Sequence, residues 1–127
     1  MFSIEVHGIE WDWFACDQVG NVALISSGGS GQVPRGLLAR EAEIQALRDF
    51  LGLGYDADSW RLAAEQGLFG YDVDVRGGPF RRLTRPARAR TLEDVPEPHR
   101  SLIARATVRG RFSKLRRLDC ALVTYVE

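Results

Sequence analysis

Residues 10–34 read EWDWFACDQVGNVALISSGGSGQVP. Two apolar runs, Trp11 to Cys16 and Asn21 to Ser26, flank Asp17-Gln18-Val19-Gly20, a tetrapeptide of turn-forming residues, so the stretch predicts a β-hairpin. Successive side chains of a strand point to opposite faces. Trp11, Trp13 and Ala15 therefore share one face of the first run, and Asp12, Phe14 and Cys16 the other. Large apolar groups on both faces predict a strand inside the sheet and covered on each side. The glycine-rich exit Ser26 to Pro34 predicts a loop leaving the sheet.

Working outward, Phe2 to Val6 predicts a short strand. Leu37, Ile44, Leu47 and Leu51 form one stripe, which predicts a helix from about Arg40 to Leu51 with Gly52 as its stop. Asp56 or Asp58 can cap a shorter helix through Ser59, Trp60 and Ala64, with Gly67 as its left-handed terminator. These two helices are expected on one sheet face. Phe69, Tyr71, Val73 and Val75 alternate with Asp72 and Asp74, a one-sided strand pattern, and Gly77-Gly78 predicts a hairpin to Phe80–Arg85. Arg81 or Arg82 is expected opposite Asp74, on a strand that lies at the sheet edge.

Residues 86–98, PARARTLEDVPEP, read as an extended crossing with a turn at Thr91 to Asp94. Pro98 suits a first helical turn, and Leu102, Ile103 and Ala106 give the next helix its apolar side. The run LDCALVTYV, residues 118–126, predicts one closing strand inside the sheet. The fold expected is α+β, in the order βββααββαβ: a mainly antiparallel sheet of about five or six strands covered by two or three helices.

The chain has 127 residues, 45% hydrophobic and 27% charged, with a net charge of zero. That size fits one globular domain, residues 1–127, able to bury a core without disulfides or metal. No apolar run is long enough to span a bilayer, and the start MFSIEVHGIE lacks the basic and apolar regions of a secretory signal; a cytoplasmic protein with no membrane role is expected. Cys16 and Cys120, each in a predicted strand, are expected to be free thiols.

Charge is segregated. Residues 1–74 hold four Arg against twelve Asp and Glu, a balance of −8, while residues 75–127 hold twelve Arg and Lys114 against five acids, a balance of +8. The expectation is that the halves fold together and neutralise across neighbouring strands. The competing reading is a basic nucleic-acid face formed by Arg81, Arg82, Arg85, Arg88 and Arg90, continued by Arg105, Arg109, Arg111, Lys114, Arg116 and Arg117. Bases stack on aromatic rings, and in sequence only Phe80 and Phe112 lie near this series.

Motifs for chemistry are absent. Gly28-Gly29-Ser30-Gly31 precedes Gln32 and Val33 where a phosphate-binding loop needs Lys and Ser or Thr, and Pro34 stands where a dinucleotide fingerprint needs Gly. Two Cys and two His without paired spacing do not assemble a zinc site. Neither His7 nor His99 neighbours a nucleophile. Asp12, Asp17, Asp72 and Asp74 converging at strand ends would be the basis of a small hydrolase, the second alternative to binding. No cofactor or metal is expected.

The segments Trp11 to Asp17, Gly20, Val22-Ala23, Val33-Pro34, Gly67 to Asp72 and Leu92 to Pro96 together resemble a group of small bacterial proteins with a WDWFACD-x-x-G-x-VA segment. The resemblance implies a role like that of the cytoplasmic immunity proteins that neutralise bacterial toxins, which act by binding. It carries no catalytic residue. The expected partner is a protein, a cognate toxin, held either by Arg81, Arg82 and Arg85 or by Asp12 and Asp17 with Asp56 and Asp58.

Overall fold

The computed structural model of the chain describes residues 2–3, 11–28, 32–54, 58–74 and 78–127. The hairpin read from residues 10–34 lies at the centre: β2 (Asp12–Asp17) and β3 (Val22–Ser26) pair antiparallel, Trp13 opposite Ile25 and Ala15 opposite Ala23. Gly20 turns the chain between them with φ +85°, a conformation that a Cβ disfavours. Further strands are β1 (Phe2–Ser3), β4 (Val33–Pro34), β5 (Phe69–Val73), β6 (Phe80–Thr84), β7 (Ala106–Val108), β8 (Arg117–Leu118) and β9 (Val123–Tyr125). The helices are α1 (Glu41–Leu51), α2 (Ser59–Glu65) and α3 (His99–Ala104), with short 3₁₀ turns at Arg35–Arg40, Leu92–Asp94 and Cys120–Leu122.

The α+β class agrees with the sequence, but the sheet differs from expectation. It has seven strands in the order β8-β6-β5-β3-β2-β7-β9, with β1 and β4 forming a separate pair. The sheet is mixed, because β3 pairs parallel with β5 and β2 parallel with β7. The expected count and order missed β4, β7 and β8, each two or three residues long and too short for alternation to register. Ala106, read as helical, opens β7 instead.

Two further expectations are corrected. Residues 118–126 do not form one internal strand. The Asp119 carboxylate accepts the Ala121 N–H at 2.9 Å and so folds Cys120–Leu122 into a turn, an instance of a short acidic side chain competing with the ladder. The run therefore contributes to β8 and β9 at opposite sheet edges, and Cys120 lies in the turn between them. Likewise β6 is not an edge strand, because β8 pairs along it. Its register with β5 places Arg81 opposite Asp72 and Arg82 opposite Tyr71, while Asp74 takes Arg117 at 2.9 Å. Val75 and Gly77 of that hairpin, Asp56, and the continuation of the first strand beyond Ser3 lie outside the described residues.

Residues paired across strands share a face, so the register sorts the core into two layers. One face carries Trp13, Ile25, Phe69, Tyr71, Phe80 and Leu118, with Phe112 from the β7–β8 loop packed on Phe69 and Tyr71. The other carries Phe14, Cys16, Leu24 and Gly70 beneath the helices. Helices α1 and α2 share this face as expected: Trp60 of α2 lies over Gly70, and Arg48 of α1 reaches Asp12. Helix α1 ends as its sequence predicts. Gly52 sits at φ +68°, its N–H bonds the Asp49 carbonyl, and the Leu53 N–H bonds the Arg48 carbonyl, a left-handed terminator that satisfies the last carbonyls. Gly67 closes α2 at φ +84°. No described helix is long and apolar enough to cross a membrane.

Candidate functional site

Asp17 ends β2 with its side chain inside the protein, 5% exposed. Its Oδ1 accepts the N–H groups of Val19 at 3.1 Å and Asn21 at 2.9 Å, which closes the hairpin turn. Its Oδ2 accepts the Phe112 N–H at 2.8 Å, which ties the β7–β8 loop to that turn. A second link runs alongside: the Gln18 N–H bonds the Gly110 carbonyl at 3.1 Å, and the Gly110 N–H bonds Gln18 Oε1 at 3.2 Å. The turn and the loop are therefore one body.

The loop is also held from below. Phe112 is fully buried between Phe69 and Tyr71. Tyr71 donates its O–H to the Leu115 carbonyl at 2.6 Å. Burial pushes the Tyr71 phenol above its ordinary range, so it remains a donor through neutral pH. Arg82 donates through Nη1 to the Phe112 carbonyl at 2.7 Å, and its backbone N–H bonds the Arg116 carbonyl at 2.8 Å. Charge-assisted bonds of this type are roughly twice as strong as neutral ones.

What this anchor displays is positive. Residues 109–117 read RGRFSKLRR, and Arg109, Arg111, Lys114, Arg116 and Arg117 are all exposed. Arg117 pairs with Asp74; among the described residues, the other four have no ion pair. The expected mutual neutralisation of the halves is therefore incomplete. Two described ion pairs bridge them, Arg117 with Asp74 and Arg40 with Glu127 at 3.4 Å. The loop keeps most of its charge because its apolar residues, Phe112 and Leu115, turn inward and its cations turn outward.

The five residues singled out from sequence separate in space. Asp12 begins β2 and Asp17 ends it, which puts them about 17 Å apart along the strand. Asp12 is buried in an ion pair with Arg48, and Asp17 is committed to backbone N–H groups; neither carboxylate is available at the surface. Arg81 and Arg82 are adjacent in β6 and point to opposite faces. Arg81 is exposed, whereas Arg82 is half-buried and engaged with the loop. Arg85 is exposed just beyond the strand. Asp58 sits at the start of α2 without capping it, and its carboxylate lies 3.4 Å from Arg61.

The four carboxylates considered for hydrolysis are not all brought together. Asp17 lies at the opposite end of β2 from Asp12, and Asp74 pairs with Arg117. Asp12 and Asp72 fall in register across Ser26, Asp12 paired with Arg48 and Asp72 accepting the Val73 N–H at 2.8 Å. Among the described residues, no group of three or more His, Cys, Asp or Glu is placed to hold a metal ion. Phe80 and Phe112, the aromatic residues nearest the Arg series in sequence, are both fully buried. Burial removes them as stacking platforms for bases.

The cations that form the site belong to the wider Arg series recognised from composition, but their selection depended on burial. One local signal existed: Phe112 and Leu115, three residues apart, punctuate the basic run. Comparison with known proteins adds nothing to this geometry, since no family model, curated protein or solved structure matches the chain.

Proposed function

We propose that this protein is a cytoplasmic binding module that neutralises an acidic protein partner by covering its working surface, as immunity proteins do to bacterial toxins. One observation carries the reading: four exposed cations, with no ion pair among the described residues, stand on a loop whose backbone is fastened to β2, β5 and β6 by buried and part-buried hydrogen bonds. A preformed loop loses little freedom on binding, and clustered charge speeds encounter with an oppositely charged partner. Arg presents a planar fork that matches carboxylates in pairs. Steric occlusion needs no catalytic group, in keeping with carboxylates engaged by Arg48, Arg117 and backbone N–H groups. The same cations would suit phosphate, but Phe80 and Phe112, the aromatics nearest them in sequence, are buried, which favours a protein partner over single-stranded nucleic acid.

The test is affinity capture from nuclease-treated lysate of the native host, comparing the protein with the triple variant Arg111→Glu, Lys114→Glu, Arg116→Glu. A single stoichiometric protein retained by the first and lost by the second is expected. Retention of the same protein by both, or recovery of nucleic acid alone when the nuclease is left out, would overturn the reading.

A further inference from the structure

On the helical side of the sheet, remote in chemistry from the cationic loop, α1 carries a second apolar stripe beyond the one that enters the core. Ile44, Leu47 and Leu51 are buried, while Ala42, Ala46 and Phe50 follow each other at intervals of four and are exposed. Residues four apart stack on one helix face. This stripe looks across to Pro98, His99 and Leu102 at the start of α3, and a groove of about 210 Å³ runs between them. Phe50, the next residue of the stripe, is 48% exposed, and its ring lies 5.0 Å from that of His99, which lines the groove. An exposed Phe beside an apolar groove is a contiguous apolar surface, and such surfaces mark interaction sites where scattered single residues do not.

Carboxylates stand beside the groove. Glu43 borders it and is partnered by Arg40 at 2.8 Å. Asp49, on the helix face shared by Ala42 and Ala46, and Glu97, which precedes Pro98 in the chain, have no ion pair among the described residues. Asp49 accepts the Gln45 amide at 2.9 Å, and Glu97 accepts the Ser101 hydroxyl at 2.8 Å and its N–H at 2.9 Å. These bonds orient both carboxylates, and the Ser101 bonds, with a smaller contribution from the Arg100 charge, hold Glu97 below the usual carboxylate range. Arg100 of α3 donates its Nε to the Val95 carbonyl at 2.9 Å.

We infer that the α1–α3 groove is a second docking surface, and that its occupant is a cationic amphipathic helix of a partner protein. The apolar side of such a helix would enter between Ala46 and Leu102 beside Phe50, and its Lys or Arg residues would meet Asp49 and Glu97. Small Ala side chains on one wall allow close backbone approach, and an apolar floor with a charged rim is how helix-in-groove recognition combines affinity with selectivity. The protein thus presents two surfaces of opposite charge preference.

The experiment follows amide NMR spectra of the full chain during titration with three model peptides: a Leu/Lys peptide with Leu at helical spacing, its sequence scramble, and a Leu/Glu peptide of the same pattern. The Leu/Lys peptide is expected to shift the amides of residues 42–50 and 99–102, and to bind about tenfold more tightly than the other two. Ala46→Arg, on an exposed position, is expected to weaken it about tenfold by filling the groove with like charge. Phe50→Ser provides an independent loss of apolar contact, with a weakening of about fivefold. Equal binding of the scramble or the Leu/Glu peptide, or shifts confined to other residues, would overturn the inference. So would concentration-dependent shifts of the same amides without peptide, which would assign the groove to a second copy of the chain.

Discussion

The carboxylate of Asp17 accepts the backbone N–H of Phe112 at 2.8 Å, joining residues 95 positions apart in the chain. Through this bond the first hairpin sets the position of the basic loop. A residue that sequence alone presents as a turn former, and as a candidate contact for a partner, is thus the internal strut of a surface built by other residues.

Asp17→Ala should be costly and local. It strips acceptors from the N–H groups of Val19, Asn21 and Phe112, and the expected destabilisation is about 2–4 kcal/mol. Hydrogen exchange at Phe112 should accelerate more than exchange in the centre of β3. Asp17→Asn keeps one acceptor oxygen and should lose less. Wild-type urea midpoints for both variants would reject the strut.

Arg48 and Asp12 pair inside the protein, joining α1 to β2, and Arg48 also donates to the Gly54 carbonyl. Removing one charge leaves the other buried, so Arg48→Met should cost about 3–5 kcal/mol. The double variant Arg48→Met, Asp12→Leu should recover part of that loss, because no uncompensated charge remains. A double-mutant cycle in urea measures the coupling; simple additivity would show that the pair does not act as a unit.

Gly70 shows how closely α2 sits on the sheet. A Cβ at this position would lie 2.6 Å from Thr84 Cγ2 and 2.6 Å from Trp60 Cε3, so Gly70→Ala should destabilise by about 1–3 kcal/mol through overpacking. Thr84→Ser removes one of the two obstacles and should restore part of the melting temperature. An unchanged melting temperature for Gly70→Ala would mean that α2 packs less closely than this.

Burial pushes the Cys120 thiol from its ordinary 9.0 to about 11, with the Asp119 carboxylate adding to the effect. The thiolate is the reactive form, so near about pH 8 labelling of native Cys120 should be about a hundredfold slower than in the unfolded chain. The sign for stability follows from which state keeps its proton. Between 9.0 and about 11 the unfolded chain has released the proton that the folded chain retains, and stability falls as pH rises through that window. Cys120→Ala should lose less stability than the parent over the same range. Parallel losses would show that the thiol does not contribute.

Local chemistry carried the elements that are long or strongly patterned. The β2–β3 hairpin, the stripe and glycine stop of α1, the glycine stop of α2, and the β5–β6 hairpin all follow from periodicity and turn residues within one short window. Thr91 and Asp94 likewise announce the turn between them, and their side chains satisfy each other's backbone there. The site was legible only in part: composition pointed to the basic half and alternation put Arg81 and Arg82 on opposite faces of β6, but nothing local showed that Arg81 would be exposed and Arg82 bound to the loop.

By itself, then, the sequence determined the α+β class, the central hairpin, α1 and the segregation of charge, because each depends on residues near one another in the chain. Tertiary structure alone decided the parallel pairing of β7 with β2, the division of residues 118–126 between two sheet edges, and which cations stay exposed. Those outcomes rest on contacts between distant segments. A three-residue strand has too few alternating positions to announce itself, and a lone Asp does not reveal in sequence whether water or the Phe112 N–H will be its partner.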